Sequence, residues 1–264
     1  RAVDSLFYTG PADVRWPNIT QGNPAGGVAQ GETYRTFTGL TRQGSLGLVR
    51  ATLTGSRALN EGVWNSFNNL MLRKGDDIGG GVIVTRILRV WGLFTNQILF
   101  HVRLGGAGVN SRNNEALILR QINGSYLTLL RTGQQAPGVG EEKVTVARLQ
   151  SIAVDLTSGR YAVLGSLRGA PRNANQALWS GNPALGDFIN NQHLRLPLLL
   201  MRKGEVYQTA QTDAATVRSL AIKPVLDRSG VGGRGEAQVI NDDGQILVEI
   251  RTDGNIRELV RLTP

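Results

Sequence analysis

Apolar residues recur at every second position along much of the chain, as at Ile98, Phe100, Val102 and Leu104, which is the period of a strand that buries one face. A 3.6-residue period is hard to find anywhere. The pattern therefore predicts short strands, and these strands repeat. Four copies of a strand ending in a glycine turn stand at Phe7-Tyr8-Thr9-Gly10, Leu72-Arg73-Lys74-Gly75, Leu130-Arg131-Thr132-Gly133 and Met201-Arg202-Lys203-Gly204, at intervals of 65, 58 and 71 residues.

Between these glycines lie three further apolar stretches in each unit. The first covers 34–40, 82–93, 144–154 and 217–225. The second follows a polar turn, as in Ile98-Leu99-Phe100-His101-Val102 after Thr95-Asn96-Gln97, and Ile246-Leu247-Val248 after Asn241-Asp242-Asp243-Gly244-Gln245. The third opens on Asn60-Glu61, Asn114-Glu115 and Asn175-Gln176, and more loosely on Asn255-Ile256. Four short strands in a unit of roughly 66 residues are the pattern of a propeller blade, a small sheet that buries both faces against its neighbours.

The expected fold is thus all-β: one repeat domain over 1–264, a four-bladed propeller with units near 11–75, 76–133, 134–204 and 205–264 plus 1–10. In this reading 2–9 pair with 256–262 and close the ring. The alternative is a fragment of a larger propeller or a β-solenoid.

Composition agrees with this picture. Gly is 34 of 264 residues and Pro only 9, as expected of many strands joined by glycine turns. The hydrophobic share of 41% suffices for one large core. No apolar run approaches the ~18 residues of a membrane-spanning helix. Cysteine is absent, which excludes thiolate metal sites, thiol catalysis and disulfides. The chain opens at Arg1 without a leader-like stretch and reads as a processed or trimmed product.

The repeat resembles the propeller-type repeats of uncharacterised secreted proteins of environmental bacteria. The residues that carry the resemblance are Leu129-Leu130-Arg131-Thr132-Gly133 with Ala136-Pro137-Gly138, and Asn241-Asp242-Asp243-Gly244-Gln245. The first unit departs from it, with Gly44-Ser45 where Gly-Gln is expected, and the last carries an insertion near 227–235. The resemblance implies an exported protein, extracellular or periplasmic, and transfers no activity.

Candidate chemistry is sparse. His101 sits inside a strand and His193 in a polar loop, which is too little for a triad or a metal site. Gly230-Val231-Gly232-Gly233-Arg234-Gly235 spells a dinucleotide fingerprint but precedes an apparent strand at 236–240, and a phosphate cradle must open a helix. The acid pairs Asp76-Asp77, Glu141-Glu142 and Asp242-Asp243 are adjacent residues that point to opposite sides of a strand, so none is itself a catalytic dyad. No catalytic residue, metal site or cofactor is assigned.

The net charge of +9 raises the question of polyanions, yet 25 of the 29 basic residues are Arg, strewn along the chain rather than clustered, which disfavours nucleic acid. Arg73, Arg131 and Arg202 recur at one place in three units. They would form a basic rim for anions, or else pair with acids such as Asp76 and Glu205. Trp64 and Trp179 recur too, which marks them as packing residues, whereas Trp16, beside Arg15 in an irregular loop over 10–31, is placed to stack on a sugar. The candidate ligand-binding residues are therefore Trp16, Arg15, Arg73, Arg131 and Arg202. The leading reading is a non-enzymatic exported binding scaffold, with a polysaccharide or a cell-surface protein as partner. The alternatives are a carbohydrate-active enzyme using loop carboxylates, and Arg-mediated polyanion binding.

Overall fold

The structure is a computed structural model that describes residues 5–9, 13–43, 46–93, 96–183, 196–208, 214–222, 239–241 and 243–264. At 5–9, 13–18, 42, 43 and 46 the backbone alone is described. It is all-β. The strands are β1 (Ser5–Thr9), β2 (Asp13–Thr20), β3 (Tyr34–Gln43), β4 (Leu46–Leu53), β5 (Glu61–Asn65), β6 (Leu70–Arg73), β7 (Val82–Gly92), β8 (Ile98–Gly106), β9 (Glu115–Arg120), β10 (Tyr126–Arg131), β11 (Thr145–Val154), β12 (Tyr161–Arg168), β13 (Gln176–Gly181), β14 (Leu198–Arg202), β15 (Val206–Gln208), β16 (Ala214–Ala221), β17 (Ile246–Thr252) and β18 (Arg257–Leu262). The one helical element bounded within the described residues is a 3-10 turn at Arg172–Ala174.

These strands form four four-stranded sheets, in the orders β3-β4-β5-β6, β10-β9-β8-β7, β11-β12-β13-β14 and β15-β16-β17-β18, and a separate pair β1-β2. Each four-stranded sheet is made of consecutive strands, but the last holds β15 in addition to the three strands expected there, and 2–9, expected as its fourth, is not among its strands. The chain divides into two compact units, residues 1–109 with 120–127, and 110–119 with 128–264.

One hydrogen-bond pattern recurs and defines the repeat. The amides of Gly75, Gly133 and Gly204 donate to the carbonyls of Val84, Val146 and Val217 at 2.7, 2.7 and 2.8 Å. Each of these valines donates back to the residue after its glycine, Asp76, Gln134 or Glu205, at 2.9 Å. All three glycines have positive φ, a conformation that costs a residue with a Cβ about 1–2 kcal/mol. A bulge follows at the same place in every first strand, between Tyr34 and Thr36, Val84 and Arg86, Val146 and Arg148, and Val217 and Ser219. The bulge bends and twists the strand while keeping its apolar side inward.

The first copy of this pattern is not where the sequence reading put it. Gly10 lies outside the described residues, and the strand-end role belongs to Gly22, whose amide donates to Tyr34 O at 2.8 Å and whose φ is +88°. The corrected glycine intervals are 53, 58 and 71 residues. It follows that β2 corresponds to a fourth strand and β1 to a third, and that 10–31 is no irregular loop but contains β2. β1 takes β2 as its antiparallel partner, where the expectation paired 2–9 with 256–262.

The core of each unit follows from the alternation. In the first, Ile19 of β2 joins Tyr34, Val49, Ala51, Leu53 and Trp64 in one buried cluster, with the Tyr34 and Trp64 rings edge to face at 5.1 Å. In the second, Leu164, Leu178 and Met201 of the β11–β14 sheet pack on Val217, Leu220, Val248 and Ile250 of the β15–β18 sheet, so these two sheets face one another across a shared core.

Candidate functional site

The three recurring arginines are built alike. Each follows the last apolar pair of a fourth strand, and its Nε donates to a backbone carbonyl just before the third strand: Arg73 to Leu59 O at 2.6 Å, Arg131 to Asn113 O at 2.8 Å and Arg202 to Ala174 O at 2.9 Å. Arg73 is buried and reaches both carboxylate oxygens of Glu32 at 2.7 and 2.6 Å, while Arg202 grips Glu141 through both terminal nitrogens at 2.8 and 3.2 Å. Asp76 and Glu205 do contact these segments, but through the Arg73 and Arg202 backbone amides rather than the guanidiniums. Two of the three guanidiniums are thus committed to ion pairs with loop glutamates just ahead of the first strand of their own sheets. Among the described residues Arg131 has no carboxylate in ion-pair reach.

Trp64 and Trp179 occupy equivalent, fully buried positions, and their Nε1 atoms donate to Gly26 O at 2.8 Å and Pro137 O at 2.9 Å. Trp16 and Arg15 lie in β2, where Arg15 is the register partner of Phe7. Their backbone is paired, not looped.

The acids are engaged locally. Asp77 accepts from Gly79 N and Gly81 N and closes a turn. Burial pushes the Asp76 carboxyl up, against the Arg73 amide and guanidinium that pull it down. Burial, with Asp76 adding to it, pushes the nearby Tyr126 hydroxyl up to about 12, and that hydroxyl donates to Met71 O at 2.8 Å. Asp242, His193, the 230–235 glycine segment and most of the loops at 180–196 and 226–235 lie outside the described residues. Among the described residues no three His, Asp or Glu side chains gather as a metal-holding group, and no helix is long and apolar enough to cross a membrane.

The sequence reading did not single out the arginines of β7 and β8. The register sets Arg86 opposite Arg103, Arg89 opposite His101 and Trp91 opposite Leu99. The partners on the other side of the same two strands, Val84 with Leu104 and Ile87 with Val102, are buried. The bulge between Ile87 and Arg89 brings Arg86 and Arg89 onto one face although they are three residues apart, a spacing that strict alternation would split between faces. Arg86, Arg89 and Arg103 are all exposed, and among the described residues none has a carboxylate in ion-pair reach. Directly opposed side chains in an antiparallel pair stand about 5 Å apart at Cβ, where like charges repel. The result is a cationic face with the half-exposed Trp91 ring at its end. The signal available in the sequence was the pairing of Arg86-x-x-Arg89 with His101-x-Arg103 across a hairpin, legible only once the bulges are known.

Compared with known protein families, curated proteins and solved structures, the chain matches none of them.

Proposed function

We propose that this protein is a binding scaffold of blade-like sheets in a propeller-type arrangement, and that it holds an acidic polysaccharide on the β7–β8 face. The observation that carries the reading is the opposed pair Arg86 and Arg103 with Arg89 beside it, three exposed guanidiniums with no carboxylate partner among the described residues. Opposed like charges cost folding energy unless something else answers them, and a carboxylate or sulfate group meets a guanidinium in a two-pronged, charge-assisted bond. Trp91 adds an aromatic surface suited to the apolar side of a sugar ring. A single ring favours a glycan over single-stranded nucleic acid, which stacks successive bases on several aromatics. An exported site of action belongs to this proposal through the repeat resemblance. The ring closure and the blade packing around it belong to the proposal as well.

The test is calorimetric titration with polygalacturonate, heparin, amylose and a single-stranded oligonucleotide. The expected result is binding of the two acidic glycans, at least about tenfold weaker in Arg86→Gln/Arg103→Gln, with amylose inert. Equal binding of amylose, tighter binding of the oligonucleotide, or indifference to the double substitution overturns the reading.

A further inference from the structure

Three reversals of the chain, at 65–69, 121–125 and 252–256, are built alike. In each the first amide donates to the last carbonyl, at 3.0, 2.9 and 3.0 Å, and the fourth amide donates back to the first carbonyl, at 2.9, 2.9 and 3.1 Å. The fourth residue has positive φ in all three, Asn68, Gly124 and Asn255 at 64°, 86° and 59°. The two central residues of such a turn project from it, and turn chemistry favours polar residues or glycine there. The turn at 252–256 obeys this with Asp253 and Gly254. The other two depart from it: Phe67 is 69% exposed and Ile122 62% exposed. Neither side chain serves its turn or the core, so their use lies outside the sheet.

Both tips belong to the first compact unit and stand at one end of it. The hydroxyl of Tyr126, at the start of β10, donates to Met71 O of β6 at 2.8 Å, which holds the two turns side by side. Ser66 N donates to Gly47 O at 2.9 Å, and Asn65 Oδ1 accepts the amides of Phe67 and Asn69 at 3.1 and 3.0 Å, so the Phe67 turn is fixed against the start of β4. Arg120 lies under the other tip. Its guanidinium meets the Tyr126 hydroxyl, and its Nη2 is 3.5 Å from the place a Gly124 Cβ would take. The stretches of sequence that join strands at this end, 40–48, 65–70, 91–98 and 120–126, contain no Asp or Glu and two arginines, Arg42 and Arg120. The turn at the opposite end of β6 carries Asp76 and Asp77. Turn tips stand clear of strand edges and sheet faces, so neither strand pairing nor sheet packing covers them.

We propose that this end of the unit docks on an anionic lipid bilayer, with Phe67 and Ile122 entering the interfacial zone and the Arg120 guanidinium taking a lipid phosphate. Two isolated tips bury too little for a protein partner, since a specific interface needs about 1,000 Å² or more. A bilayer asks less, because binding there sums the apolar area that enters with the attraction of basic groups to anionic lipid. The residues flanking the tips, Ser66, Asn68, Gln121 and Asn123, bring no charge that would have to be desolvated on entry. A guanidinium meets a phosphate in a two-pronged, charge-assisted bond, which suits the acid-free surroundings of Arg120.

The test is cosedimentation of the full chain with vesicles of phosphatidylcholine, alone or mixed with phosphatidylglycerol. Binding to the mixed vesicles is expected, about tenfold or more weaker in Phe67→Ser/Ile122→Ser and about fivefold weaker in Arg120→Gln. Serine suits a turn, so the far-ultraviolet spectrum of the double variant should stay unchanged. Because the chain has no cysteine, Phe67→Cys accepts a single environment-sensitive label, whose emission should shift to the blue on the mixed vesicles. That readout makes the same test should the serine variant not fold. No binding to the mixed vesicles, binding that the serine variant keeps in full, or a label that does not shift overturns the proposal. A loss in Arg86→Gln/Arg103→Gln as large as in the serine variant overturns it too, since the attraction would then come from charge on the β7–β8 face rather than from the tips. So does a dimer of the free chain in sedimentation that the serine variant abolishes, since a second copy would then cover the tips.

Discussion

The indole of Trp179 shows how one side chain serves packing and hydrogen bonding together: the ring is fully buried, and its Nε1 gives the Pro137 carbonyl a partner. Trp179→Phe keeps most of the apolar contact but leaves that carbonyl without its donor and opens a small void. A loss of about 2–3 kcal/mol in urea unfolding is expected. Trp64→Phe should behave alike through Gly26. The arginines teach a different lesson. Their recurrence was visible in the sequence, but their acids were not, because Glu32 and Glu141 come from loops ahead of the first strand rather than from the neighbouring Asp76 or Glu205. The hydrogen bond from Arg202, with its charge, holds the Glu141 carboxyl below the ordinary glutamate value. A depressed native pKa means that the pair favours the fold above the ordinary glutamate range, and that this contribution fades as pH falls through the native value. In Arg202→Gln the Glu141 titration should move up toward the ordinary value, read by carboxyl-carbon NMR.

At the scale of the strand and turn, the repeat is held by a glycine, a return hydrogen bond and a bulge. Gly133 needs its hydrogen on two counts, a φ of +80° and a virtual Cβ that would stand 2.7 Å from Asn113 Cβ. Gly22 shares the φ but has open space around it. Gly22→Ala should therefore cost only backbone strain, about 1 kcal/mol, and Gly133→Ala clearly more, with thermal unfolding of both variants as the measurement. The recurrence of four-stranded sheets and the asparagines at 60 and 114, just before the third strand, were legible because alternation and turn residues are local. The frame of the first unit was not. Phe7-Tyr8-Thr9-Gly10 imitates the motif, while the true copy, Thr20-Gln21-Gly22, lacks the arginine. Its remaining signal is Ala25-Gly26-Gly27, three residues on, which parallels Ala136-Pro137-Gly138: Gly27 and Gly138 have φ of +72° and +71° and abut Leu70 and Leu199 in the same way. Only the bond from Gly22 to Tyr34 distinguishes the two candidates.

For the molecule as a whole, a net charge of +9 makes attraction to polyanions general, so specificity must come from where the charges are exposed. If the β7–β8 face is the binding site, the log of affinity for heparin should fall linearly with the log of salt concentration. The slope should be about −2 to −3 for three guanidiniums, and about −1 after Arg86→Gln/Arg103→Gln, which leaves Arg89. The all-β class, the four-strand unit, the packing role of Trp64 and Trp179 and the recurrence of Arg73, Arg131 and Arg202 were determined by the chain's own pattern, since period-two burial and turn chemistry are written in neighbouring residues. Three matters were decided by tertiary structure: which glycine opens the first unit, which acids neutralise the arginines, and which arginines stand exposed together on β7 and β8. Each depends on register across strands and on bulges that turn a side chain to the opposite face, relations between residues that linear spacing does not carry.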